Sequence, residues 1–123
     1  MIEFALVLPM LIVLTMLVVD FGRAFMVKNL VTQAAREGAR RAAVSAPLDS
    51  VVAITTAVAA AGGLPASGVV VTRTFVGTDQ VKVTVQAPFT WLYPGLFKLV
   101  NITLASSGTL TASCTMYLEP TGP

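Results

Sequence analysis

Sixteen residues without a formal charge, Phe4 to Val19, lie between Glu3 and Asp20, and an amphipathic run, Phe21 to Val44, follows them directly. No turn signal separates the two. The pattern therefore predicts one continuous helix, apolar all round in its first half and two-faced in its second. In the second half Phe21, Ala24, Phe25, Val31, Ala35, Gly38, Ala39 and Ala42 recur at three- and four-residue spacing. The opposite face carries Arg23, Asn29, Gln33, Arg36, Glu37, Arg40 and Arg41, with Glu37 and Arg41 spaced as a supporting pair. Ala35, Gly38, Ala39 and Ala42 make a shallow stripe suited to close packing of helix on head. Pro9 predicts a kink within the apolar half, and the helix should end before Ala46-Pro47.

Past that proline, Asp49 or Ser50 can cap a second helix reaching about Ala61, where Gly62-Gly63 and Pro65 stop it. Val69 to Val76 reads as a strand, Gly77 to Asp79 as a turn, and Gln80 to Ala87 as a second strand, with Val81, Val83, Val85 and Ala87 inward. Pro88 to Leu99, which holds Phe89, Trp91, Tyr93 and Phe97, reads as a loop with room for one helical turn. Ile102 to Glu119 alternates again, with Leu110, Ala112, Cys114, Met116 and Leu118 on one face and threonines on the other. The expected fold is α+β: a long hydrophobic N-terminal α-helix with a small antiparallel β-sheet head packed on its C-terminal half. Three stretches follow: residues 1–20 as a membrane or filament-core helix, 21–46 as its amphipathic continuation, and 47–123 as a small head.

Composition sharpens the picture. The chain of 123 residues is 55% hydrophobic and 11% charged, where soluble domains carry about 25% charged residues. A small soluble monomer could not hide this much apolar surface, so burial in a membrane or in an assembly is expected. Five of the eight Lys and Arg residues lie on the long helix, and the net charge of +2 is too small and too mixed to recruit nucleic acid. By the positive-inside rule those cations would draw the C-terminal end of the apolar segment toward the cytoplasm, so a head on the outer side of the membrane would need dedicated machinery to set the orientation. The only charge ahead of the apolar run is acidic, and no small-residue cleavage site follows it, so the segment reads as retained rather than as a secretory signal.

Chemistry finds little support. The chain has no histidine and one cysteine, Cys114, so an intrachain disulfide and a Cys/His metal site are ruled out and the commonest general base is missing. The acidic residues are scattered, Gly62-Gly63 lacks the context of a phosphate loop, and no catalytic, cofactor or metal site is expected. Asn101-Ile102-Thr103 fits the glycosylation pattern, which is short and common by chance. Phe89, Trp91, Tyr93 and Phe97 fit either a cap on the sheet or a subunit contact. Glu3, at the tip of the apolar rod, fits either a solvated boundary residue or a partner for a neighbouring chain's N-terminal ammonium, which would fix the stagger between rods. Asp20 and Arg23 can neutralise each other locally or bridge between rods.

The blocks Glu3-Phe4-Ala5-Leu6-Val7-Leu8-Pro9, Asp20-Phe21-Gly22-Arg23-Ala24-Phe25 and Ala34-Ala35-Arg36-Glu37-Gly38-Ala39-Arg40 resemble the TadE-like family, pilin-like proteins of the tight-adherence branch of the type IV pilus systems. The stretch Gly108 to Glu119 is similar to the family's C-terminal strand. The resemblance implies a short basic leader removed by a prepilin peptidase and a helix first held in the inner membrane with the head in the periplasm. Pilus assembly machinery would then extract it. Glu3 looks like the glutamate near the mature N-terminus of type IV pilins, although those usually place it fifth and here it is third. The expected function is that of a structural subunit that homopolymerises into an extracellular filament for surface attachment. The alternatives are a minor pilin or assembly factor kept in the inner membrane and, less favoured, a monomeric membrane-anchored binding domain.

Overall fold

The computed structural model of the chain describes residues 1–99 and 107–120. Helix α1 spans Ile2–Ala43 and α2 spans Leu48–Ala61. A 3-10 turn at Ala66–Gly68 leads into β1 (Val70–Val76), β2 (Gln80–Thr90), the short α3 (Pro94–Leu99) and β3 (Ser107–Tyr117). The three strands form one antiparallel sheet in the order β1-β2-β3. Sheet and α2 both pack on the second half of α1, giving the α+β arrangement of a long apolar helix with a small antiparallel head.

The two halves of α1 differ in surroundings. No residue from 1 to 19 is buried, and only Val13, Met16 and Leu17 of that stretch are even half-buried. From Asp20 onward a stripe turns inward: Asp20, Val31, Ala34, Ala35, Gly38, Ala39, Ala42 and Ala43 are buried, with Ala24 and Val27 half-buried between them. Their three- and four-residue steps define one helix face. The small residues let the head come close. A Cβ added at Gly38 would lie 2.4 Å from Thr55 Oγ1 on α2 and 3.1 Å from Val83 Cγ1 on β2, so α1, α2 and the sheet converge where only glycine fits.

Strand β2 lies at the centre of the sheet, and its Val81, Val83, Val85 and Ala87 are fully buried against α1. Val83 faces Arg73 on β1 and Cys114 on β3, and Val85 faces Val71 and Ala112. The β1–β2 turn uses Gly77 at φ +73°, a left-handed conformation that costs glycine little. Beyond β3 the chain closes on the head and on the end of α1: the Leu118 N–H donates to the Asp79 carbonyl at 2.7 Å and the Glu119 N–H to the Ala43 carbonyl at 2.9 Å. Arg73 Nη1 donates to the Ala46 carbonyl at 2.9 Å, holding the α1–α2 connection to β1.

Several expectations need correction. Phe21 and Phe25 are exposed, because the buried stripe runs through Asp20, Ala24, Val27 and Val31, one position out of phase with them. Strand β2 runs on through Pro88, Phe89 and Thr90, paired with Thr109, Gly108 and Ser107. Proline is tolerated there because β1 has already ended, at Val70 opposite Gln86, and that edge of β2 has no ladder to interrupt. Neither Asp49 nor Ser50 caps α2. The cap position is Pro47 with no side-chain bond, and Ser50 Oγ donates instead to the Pro47 carbonyl at 2.8 Å. Glu37 pairs with Arg40 at 2.9 Å rather than with Arg41.

Candidate functional site at the junction of rod and head

Asp20 opens the buried stripe of α1. It directly follows the apolar half, so its carboxylate sits where the bare rod enters the head. It is 1% exposed. Its Oδ1 accepts a hydrogen bond from the Leu92 N–H and its Oδ2 one from the Tyr93 N–H, both at 3.2 Å, and Arg23 Nη1 lies 3.5 Å from Oδ1. A buried carboxylate is stable only with such compensation. Here the partners are two successive backbone donors and a guanidinium one helical turn away.

Aromatic side chains close around this contact. Trp91 meets Phe21 edge to face at 5.9 Å between ring centroids and Phe89 at 5.1 Å. The Arg23 guanidinium carbon lies 5.7 Å from the Phe89 ring centre, within cation–π range. Phe89 is buried at the end of β2, Trp91 is half-buried, and Leu92 and Tyr93 are exposed at the rim. The segment before α3 is therefore held to α1 by both charge and aromatic packing. A second tie runs from Lys28 Nζ to the Thr111 carbonyl on β3.

The fold thus brings together Asp20, Arg23, Phe89, Trp91 and Tyr93. Ala35, Gly38, Ala39 and Ala42 lie farther along the same helix, buried under the sheet and α2. Glu3 and Pro9 stand apart on the exposed half of the rod, with Glu3 about 26 Å from Asp20 at 1.5 Å per helical residue. The side chain of Phe97, and Asn101, lie outside the described residues. The tie of Asp20 to the Leu92 and Tyr93 amides escapes sequence reading, since 72 or more residues separate the partners. One signal was available: a carboxylate at a position in phase with Ala24, Val31, Ala35, Gly38 and Ala42.

No group of three or more His, Cys, Asp or Glu converges among the described residues. Cys114 is half-buried against the core with its thiol free. On the outer face of α1, Arg40 donates to both carboxylate oxygens of Glu37, and this holds the Glu37 carboxyl below its usual range.

Residues 1–40 match the family model of TadE-like proteins. The resemblance read from the sequence blocks is borne out over that stretch, which includes Glu3, Pro9, Asp20, Arg23, Ala35, Gly38 and Ala39. The match ends before Ala42 and before the whole head. No curated protein and no solved structure matches the chain. The TadE-like family is pilus-associated and structural in character, and the unburied apolar half of α1 fits membrane association.

Proposed function

We propose that this chain is a pilin-like structural subunit that polymerises through its N-terminal rod into an extracellular filament used for surface attachment. The observation that carries the reading is the division of α1. Its first half is apolar and has no buried residue, while one face of its second half is buried under its own head. A single helix with those two halves fits residence first in the inner membrane, with the head on the periplasmic side, and then in a core of its own copies. Residues 1–20 serve as the membrane and filament-core part, 21–46 carry the head, and 47–123 supply most of it. A prepilin peptidase and pilus assembly machinery act on the chain in this scheme.

Within it Glu3 sets the axial register between rods by pairing with a neighbour's N-terminal ammonium, and Pro9 adjusts the path of the rod in the core. Asp20 and Arg23 keep rod and head in a fixed relation during transfer. The reading is tested by shearing cells and examining the supernatant by electron microscopy and mass spectrometry. Filaments composed mainly of this chain are expected. Recovery only with inner-membrane vesicles would overturn the filament reading in favour of a minor pilin or membrane-held assembly factor. Glu3→Ala should lower filament yield while membrane insertion stays intact, and normal yield would remove the register role.

A further inference from the structure

The uncharged stretch Phe4 to Val19 spans about 24 Å as a helix, a few ångströms short of the ~27–30 Å hydrocarbon core of a bilayer. The missing length can be supplied at the Asp20 end. There α1 presents Phe21, Phe25 and Met26, which are 60%, 69% and 60% exposed, and the head adds Leu92, 51% exposed, beside Tyr93 and Trp91. The head residues are fixed at this level of the rod because the Leu92 and Tyr93 amides bind the Asp20 carboxylate. Residues 20 to 26 cover about 9 Å along the helix axis, comparable with the headgroup layer, where Trp and Tyr concentrate. The one carboxylate in the band, Asp20, is turned inward and hydrogen-bonded, so the band meets its surroundings without an uncompensated negative charge. Arg23, its side chain 42% exposed, and Lys98, exposed in the short helix that follows, suit anionic headgroups.

We propose that Phe21, Phe25, Trp91, Leu92 and Tyr93 form a lipid-facing collar that seats the head on the membrane interface while the rod lies in the bilayer. The proposal rests on the membrane residence proposed above. Lipid is the occupant because the collar is continuous with the unburied apolar half of α1 and lengthens it toward a full span.

The test uses Trp91, the single tryptophan of the chain. The full chain is reconstituted into phosphatidylcholine and phosphatidylglycerol vesicles carrying bromine at a shallow or a deep acyl position. Stronger quenching of Trp91 fluorescence by the shallow bromines is expected. Combining Leu92→Asp with Tyr93→Asp should lose most of that quenching while the chain still floats with the vesicles. A chain that floats with Trp91 unquenched at every depth overturns the collar and leaves membrane residence standing. Quenching unchanged in the double variant also overturns it. Protection of Trp91 that disappears on dilution with lipid would assign the surface to a second copy. Failure to float would overturn the membrane residence itself, and the collar with it.

Discussion

Replacing Asp20 with asparagine separates a structural tie from an incidental polar residue. The side chain keeps its shape, but one carboxylate oxygen becomes an amide group that can only donate. The Leu92 and Tyr93 amides both donate to Asp20, one to each oxygen. Asparagine can accept from one of them and must confront the other with its own N–H. The Arg23 guanidinium loses its anionic partner as well. Hydrogen bonds to charged groups are worth about 1.5–3 kcal/mol each. At 3.2 Å, on a segment whose rim is open to water, the lower end of that range applies. Asp20→Asn should therefore cost about 1.5–3 kcal/mol and Asp20→Ala about 2–4 kcal/mol. The near-isostere should do almost as much harm as truncation. Chemical denaturation of the full chain in detergent, followed by circular dichroism and by Trp91 emission, measures the global effect. Amide exchange measures the local one, and the Leu92 and Tyr93 amides should exchange about ten- to a hundredfold faster. An Asn variant with wild-type stability and unchanged protection at both amides would refute the reasoning.

Gly38→Ala should destabilise by about 1–2 kcal/mol, since overpacking outweighs the roughly 0.5–1 kcal/mol that alanine gains in a helix interior. Because the added Cβ first meets Thr55 Oγ1, Thr55→Ala in the same chain should cost less than the two changes summed, and a simple sum in denaturation would argue against the close approach. The Glu37 carboxyl, held low by Arg40, gives stability present above the usual 4.5 that is lost as pH falls through the lowered value. NMR titration should place the Glu37 midpoint below 4.5 and return it to the ordinary range in Arg40→Gln. A midpoint indifferent to that substitution would disprove the pairing.

Much of the fold was legible because local patterns and final burial agree. The alternation of Val81, Val83, Val85 and Ala87 survives as the buried face of the central strand, and Gly77 supplies the left-handed turn that a hairpin needs. The stripe from Ala35 to Ala42 announced close packing because small residues at helical spacing have few other uses. Legibility failed where apolar residues occur around the whole circumference. Between residues 20 and 27 the phase of the buried face cannot be taken from hydrophobicity, and Phe21 and Phe25 point away from the head's core. It failed also where a side chain serves backbone far along the chain, as Asp20 does. Pro88 misplaced the end of β2 because proline weakens a strand only where there is a neighbouring ladder to break.

In the proposed scheme the first half of α1 occupies lipid and then the flank of identical rods. A photo-crosslinking amino acid at Leu11, which is exposed midway along that half, tests this most directly when the membrane and sheared fractions are irradiated separately. Lipid adducts are expected in the membrane fraction and adducts between copies of this chain in the sheared fraction. Adducts to lipid alone, or to a different protein in every fraction, would contradict it.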